Sequence, residues 1–235
     1  MNYLCTICAR AGSTGVPNKN IKQMLDKPLI GYTIEQAIKS GLFQHVIVST
    51  DSKEIANIAK SFGAAVPFLR SPELANSTIA KWPAIRHAVQ ECEKINNLTF
   101  DIIIDMDPTS PLRSIADIKN CVDLLEEGAS NVITAMPARR SPYFNLIEKS
   151  SNGHIGLSKE IDPPVTCRQD SPKCFDMNAS IYGWKRKYLF EHDIPIFLES
   201  TALYVMPEER SIDIDSKLDF EFVEYLLQKK SINLC

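Results

Sequence analysis

At 235 residues the chain is long enough for one sizeable α/β domain with its own core. Its 44% hydrophobic and 23% charged residues are ordinary for a globular protein, and a net charge of −3 offers no basic field to nucleic acid. No apolar run approaches the roughly 18 residues that a membrane-spanning helix needs, and the first residues lack the basic and apolar regions expected of a signal peptide.

Asn2-Tyr-Leu-Cys-Thr-Ile-Cys8 reads as a buried strand. It runs into Ala9-Arg-Ala-Gly-Ser-Thr-Gly-Val-Pro-Asn-Lys-Asn20, a loop in which Gly12 and Gly15 permit positive φ and close approach of backbone N–H groups to an anion. Arg10 and Lys19 add charge, so the loop suits a triphosphate; an ordinary surface turn with two solvated cations is the alternative. It matches neither the P-loop order nor G-x-G-x-x-G.

Pro28–Lys39 has helical spacing with Gly41 as a cap, and His45–Thr50 is a strand. Lys53–Phe62 is a helix begun by Asp51-Ser52 and closed by Gly63. Ala65–Leu69 is a short strand interrupted by Pro67, which places it at an edge. After the polar loop Arg70–Thr78, a helix spans about 79–95. Asp101–Asp107 is a near-continuous apolar strand suited to a central position, and it stops at Pro108-Thr-Ser-Pro-Leu-Arg113. Ser114 with Asp117 is a capping box for a helix to about Glu127, and Asn131–Met136 is a fifth strand.

This alternation predicts an open, three-layer α/β/α sheet, with right-handed crossovers carrying every β-to-α loop to one edge. Arg10–Asn20, Thr50–Ser52 and Asp107–Arg113 meet there, where ligands bind outside the carboxyl ends of the strands.

From Pro137 to about Asp176, prolines punctuate short hydrophobic pieces, and Ser151-Asn-Gly153 reads as a hairpin turn. Its apolar content suggests a lobe over residues 137–176 buried by a second subunit, giving a homodimer. Met177–Trp184 and Ala202–Met206 are strands, Ser216 with Asp219 caps a helix to about Lys230, and the last residues form a loose end. Asp213 and Asp215, two apart in a strand-like piece, would share a face while Ile212 and Ile214 turn to the core. Paired carboxylates near a phosphate loop suit Mg²⁺; a solvated acidic turn is the alternative.

Seven scattered cysteines predict a reducing, cytoplasmic setting, and Cys5 and Cys8 read as buried thiols on opposite faces of one strand. The four histidines are isolated, and no Ser-His or Cys-His pairing suggests a hydrolase.

The first loop resembles the Ala-Arg-Ala-Gly-Ser-Lys-Gly-Ile-Pro-x-Lys-Asn signature of the CMP-sialic acid synthetases (acylneuraminate cytidylyltransferases), with Thr14 where that family usually has lysine. Pro108–Arg113 is similar to its Q-P-T-S-P-L-R, Arg168–Tyr182 to its R-Q-x-x-P-x-x-F-x-x-N-G-A-I-Y, and Ile212–Asp215 to its I-D-x-D. Four motifs in order extend the resemblance over essentially the whole chain.

The resemblance implies a single cytidylyltransferase domain with a Rossmann-like nucleotidyltransferase fold, its sheet mainly parallel. It also implies Mg²⁺-dependent transfer of CMP from CTP to the anomeric hydroxyl of a nonulosonic acid, with release of pyrophosphate. By motif match, Arg10 and Lys19 hold the triphosphate, with Ala9, Gly12, Ser13 and Asn20 around the nucleotide. Arg70 and Ser77 touch the cytidine, and Asp107, Thr109 and Ser110 line the substrate site. Asp213 and Asp215 hold magnesium, and Arg168, Asn178 and Tyr182 face the sugar acid.

Asp107, Asp176 and Phe144 depart from the family pattern and favour a less hydrophilic, di-N-acylated acceptor such as legionaminic acid. N-acetylneuraminic acid is the alternative should those positions vary neutrally. An eight-carbon acceptor and a non-catalytic nucleotide-sugar-binding module are the remaining rivals.

Overall fold

The computed structural model describes residues 1–12, 15–76 and 80–232, the side chains only as far as residue 229. Six strands form the central sheet in the order β10-β6-β9-β5-β1-β4. They are β1 (Tyr3–Cys8), β4 (His45–Ser49), β5 (Ile102–Met106), β6 (Asn131–Pro137), β9 (Phe175–Lys185) and β10 (Thr201–Val205). β4, β1 and β5 run parallel, as do β10 and β6, and β9 lies antiparallel between β5 and β6. The sheet is therefore mainly parallel, with one reversed strand wedged into its middle. The piece expected as a strand at Ala65–Leu69 makes only a single bridge, Ala65 to Ile47, because Pro67 has no N–H with which to extend a ladder.

Alternation along the strands assigns each face its partner helices. Cys5, Ile7, Val48, Ile102 and Ile104 pack under α1 (Leu29–Ser40), α2 (Lys53–Ser61) and α4 (Ile115–Glu126). Leu4, Ile47 and Ile103 face the other way, toward α3 (Lys81–Asn96) and α5 (Arg186–Glu191), with Trp184 completing that layer. A third, smaller cluster seats α6 (Lys217–Ile232) on Val16, Met24, Leu29, Leu112 and Ile214. Met24 belongs to β2 (Gln23–Met24), which pairs with β3 (Lys27–Pro28) in a minimal hairpin.

The helix boundaries follow local chemistry. Gly41 caps α1 at φ 68°, and Ser52 accepts the Ile55 N–H at the start of α2. Ser114 and Asp117 form the reciprocal capping box of α4, and Ser216 and Asp219 do the same for α6. α6 runs through Ile232, further than the loose end expected after Lys230.

The segment 137–176 leaves the sheet as a proline-punctuated excursion. It contains the hairpin β7 (Ile147–Lys149) and β8 (Ile155–Leu157), turned at Ser151-Asn-Gly153 as the composition predicts. Ile147 is 63% exposed and Ile155 60%. Among the described residues no helix is long and apolar enough to cross a membrane.

Candidate active site

A cavity of about 510 Å³ lies at the carboxyl edge of the parallel strands. Arg10, Gly15, Lys19 and Asn20 line one side, Arg70, Leu74, Asn76 and Ala80 another, and Lys81, Asp107, Thr109 and Asp215 complete it.

The cationic loop is tied to the acidic segment directly. Lys19 Nζ lies 3.3 Å from Asp215 Oδ1 and donates to the Ile214 carbonyl. Gly15 sits so close to the Asp215 carbonyl that a Cβ there would stand 2.0 Å from its oxygen. Glycine is needed at Gly15 for close approach of two backbone segments. Asn20 donates to the Arg10 carbonyl at 3.0 Å, and the Asp51 carboxylate accepts the Ala11 N–H at 3.0 Å. The Thr50–Ser52 turn thus braces the first loop instead of lining the cavity.

The Pro108–Arg113 motif also works as a brace. Arg113 is buried; it donates to Ser180 Oγ at 3.0 Å, to Thr33 Oγ1 at 3.0 Å and to the Asp107 carbonyl. Burial lowers its pKa to about 10, with neighbouring Asp107 opposing the shift. Ile214 N–H donates to the Thr109 carbonyl at 3.0 Å, locking the acidic segment to this loop. A bidentate pair holds the same segment from behind. Arg210 Nε and Nη2 each lie 2.9 Å from the wholly buried Asp117 carboxylate, which also accepts from Tyr204 at 3.0 Å.

Asp213 and Asp215 do not occupy a strand, but Ile214 is buried and Ile212 packs beside it, as the alternation requires. The two carboxylates face differently. Asp215 is 82% exposed and lines the main cavity, whereas Asp213 lines an adjoining 340 Å³ cavity with Asp176, Asn178 and Arg139. Burial raises the Asp213 carboxyl above its ordinary value, Asp107 and Asp215 add to that, and Thr109 and Lys19 oppose it. Its Oδ1 is buried without a hydrogen-bond partner. An orphaned, negatively strained oxygen of this kind suits a cation. Among the described residues no three His, Cys, Asp or Glu side chains are gathered as a self-sufficient ligand set.

Several expected site residues lie elsewhere. Ala9 is buried, outside the cavity lining, and donates its N–H to the Ser49 carbonyl at 3.0 Å, extending the β1–β4 ladder by one bond. Gly12 is exposed outside the lining. Ser110 is buried, its hydroxyl 3.4 Å from the Asn178 carbonyl. Asn178 is turned inward, accepting from Thr134 at 2.7 Å, because a buried amide must satisfy its own polar atoms. Tyr182 packs between Trp82 and Trp184 at 5.7 and 5.8 Å, beneath the cavity. Arg168 is furthest removed: it donates to the Ala138 carbonyl and lines a separate 400 Å³ cavity with Arg140 and Lys173. Ser13 and Ser77 lie outside the described residues.

Lys81 on the cavity floor and Asp105 buried beneath it were not anticipated. Lys81 Nζ stands 2.5 Å from Asp105 Oδ2 and 2.8 Å from Asp107 Oδ1, and Thr6 donates to Asp105 at 2.6 Å. Burial alone would depress the lysine, but the two carboxylates more than offset it and raise its pKa. Asp107 is raised by burial and by Asp105, against Lys81. Cys8 lines the floor too, its thiol pushed up to about 12 chiefly by burial, which makes it inert. The one available signal was Asp105, a carboxylate inside an otherwise apolar central strand.

A cytidylyltransferase family model matches residues 4–232. The chain is 48% identical over 231 residues to a CMP-N,N'-diacetyllegionaminic acid synthase of Campylobacter jejuni, covering 98% of this chain and 97% of that protein. It is 47% identical over 230 residues to the post-translational flagellin modification protein B of Campylobacter coli, covering 97% and 96%. In fold it is similar to a CMP:2-keto-3-deoxy-manno-octonic acid synthetase solved with CTP, with a TM-score of 0.67, 16% identity and coverage of 98% and 100%.

Proposed function

The chain belongs to the cytidylyltransferase family and is a nucleotidyltransferase, and on that premise we propose that it transfers CMP from CTP to the anomeric hydroxyl of a nonulosonic acid, releasing pyrophosphate. The observation that carries this reading is the cavity lined by Arg10, Gly15, Lys19 and Asp215, in which Lys19 lies against Asp215. Such a transfer needs in-line positioning and neutralisation of phosphate charge, with no covalent nucleophile. Arg10 and Lys19 hold the triphosphate, and Lys19 exchanges its contacts at Asp215 and Ile214 for phosphate oxygens. Arg70, fixed by its bonds to the Ser49 and Leu74 carbonyls, shapes the nucleoside side. Asp213 and Asp215, from the two adjoining cavities, would hold Mg²⁺, which when bound would neutralise charge developing on the phosphates.

The acceptor in this reading is a di-N-acylated sugar acid of the legionaminic type. The 48% identity to the Campylobacter jejuni synthase supports it, as do Asp107, Asp176 and Phe144 at positions where the sialic-acid pattern differs. The active unit is a homodimer joined through the lobe. Its exposed Ile147 and Ile155 give a second copy an apolar surface, and Arg168, remote from the cavity of its own chain, reaches the sugar acid of the other.

Pyrophosphate release with CTP and a panel of sugar acids tests the reading. Transfer to legionaminic acid with higher kcat/KM than to N-acetylneuraminic acid is expected; the reverse preference defeats the acceptor assignment. Asp213→Ala and Asp215→Ala should each abolish turnover without lowering the melting temperature, and full activity in the double variant would remove the metal assignment.

A further inference from the structure

The carboxyl end of β4, Ser49-Thr50-Asp51, lies outside the lining of the main cavity, yet two of the cavity's sides are bonded to it. The Ser49 carbonyl accepts the Ala9 N–H at 3.0 Å and the Arg70 guanidinium. The Thr50 carbonyl accepts the Arg70 N–H at 2.8 Å, and the Asp51 carboxylate accepts the Ala11 N–H at 3.0 Å. Three consecutive residues thus hold both the base of the first loop and Arg70.

The bond to Asp51 is matched at the far end of the same peptide unit. The Ala11 N–H and the Arg10 carbonyl belong to one planar group, and that carbonyl accepts from Asn20 Nδ2 at 3.0 Å. With each polar end held by a different side chain, the unit cannot turn without leaving one of them unpaired. The Ala9 N–H fixes the chain one residue before Arg10. The Arg10 Cα is therefore set, and its side chain projects into the cavity from a fixed base.

The start of α2 does not account for the carboxylate. Ser52, not Asp51, accepts the Ile55 N–H at 3.3 Å, and Thr50 Oγ1 accepts the Ser52 N–H at 3.1 Å. A negative charge beside a loop suited to anions also opposes phosphate binding, so the use of this side chain lies in where its oxygen stands.

We propose that Asp51 is a positioning residue for the triphosphate: by accepting the Ala11 N–H it locks the Arg10–Ala11 peptide and aims Arg10 at the phosphates, at a spacing from Arg70 set by the same turn. This rests on the reading of the cavity as the site of CTP.

The test compares wild type, Asp51→Ala, Asp51→Asn and Asp51→Glu by their dissociation constants for CTP, inorganic triphosphate and cytidine at one Mg²⁺ concentration, beside steady-state kinetics. Asp51→Ala is expected to weaken CTP and triphosphate about tenfold or more, the loss of a hydrogen bond to a charged group. Cytidine should change by less than about twofold, because the bonds of Arg70 to the Ser49 and Thr50 carbonyls survive, and KM for the sugar acid should hold equally well. Asp51→Asn keeps an acceptor oxygen in place and should bind triphosphate as wild type does. Asp51→Glu keeps the charge but carries the carboxylate one methylene further, and should behave like the alanine variant. That pair decides should Asp51→Ala fail to fold. Equal weakening of triphosphate and cytidine, or weakening of neither, would reduce Asp51 to a structural role and overturn the proposal. A glutamate variant that binds as wild type while the asparagine variant does not would overturn it too, making charge the cause. A wild type that binds neither CTP nor triphosphate removes the reading of the cavity and the proposal together; one that binds both, with variants that break the pattern, removes the proposal alone.

Discussion

The carboxyl edge of the sheet and the lobe 137–176 are built on opposite principles. At the edge buried side chains cross-link the elements: Arg113 ties together α1, β9 and the Asp107 carbonyl, and Arg210 pins the acidic segment to α4. In the lobe the chain mostly bonds to itself, as in Leu146 N–H to Ser141 and Lys159 N–H to Pro142, and turns apolar side chains outward. One region is over-determined by its own chain. The other has a conformation but no cover. Mutations should therefore register as stability or turnover at the edge and as association in the lobe.

Arg210→Met is the largest test of that contrast. Removing one partner of a buried pair leaves Asp117 charged and unpaired, at a cost of about 3 kcal/mol, measurable by urea denaturation at neutral pH. The pH dependence sharpens it. Burial pushes the Asp117 carboxyl up, but hydrogen bonds from Arg210 and Ser114 outweigh burial and hold it below its ordinary value of 3.8. Its stabilisation is therefore present above that value and lost as pH falls through the lower folded one. The variant should lose less stability than wild type across that acid range, and parallel acid profiles would contradict the assignment.

Gly15→Ala comes next. A methyl group 2.0 Å from the Asp215 carbonyl oxygen must push the cationic loop off the acidic segment. A displacement of that order is expected to lower kcat about 100-fold, with little change in melting temperature. Wild-type turnover in this variant would show that the two segments need not touch.

The smallest effect on the fold belongs to the lobe. Ile147→Glu with Ile155→Glu should shift the protein to monomer by light scattering while changing unfolding stability by no more than about 0.5 kcal/mol. A large loss of stability in a species that is monomeric before the change would show that these side chains serve the chain's own core.

The same contrast sets what the sequence could disclose. Elements with a local signature were legible: both capping boxes, the Gly41 cap, the hairpin turn at Ser151–Gly153 and the apolar centre of β5 all appear where composition puts them. The convergence of Arg10, Lys19 and Asp107 was legible as well, because crossover handedness carries their loops to one edge, whereas Thr50–Ser52, expected beside them, braces the first loop instead. Direction was not legible, since a strand's periodicity is the same whether it runs parallel or antiparallel, and β9 could be placed only by its registers with β5 and β6. Lys81 escaped notice because nothing beside it in the chain hints at Asp105 and Asp107, which meet it only through packing. The inward turn of Asn178 and Tyr182 escaped notice for the opposite reason. Their motif is local, but a buried amide and a buried ring answer first to the partners packed around them.

The reversed strand also bears on how the chain emerges from the ribosome. β5 is complete at Met106, and every one of its residues is buried in the finished protein. Its antiparallel neighbour begins only at Phe175, beyond α4, β6 and the whole lobe. Throughout that interval of synthesis the nascent sheet β4-β1-β5 ends in an unpaired apolar edge, the kind of surface on which strands from other chains add. Fragments that stop short of Lys185 should accordingly aggregate, and those that include it should gain solubility abruptly, with nucleotide binding recovered only once the segment carrying Asp213 and Asp215 has followed.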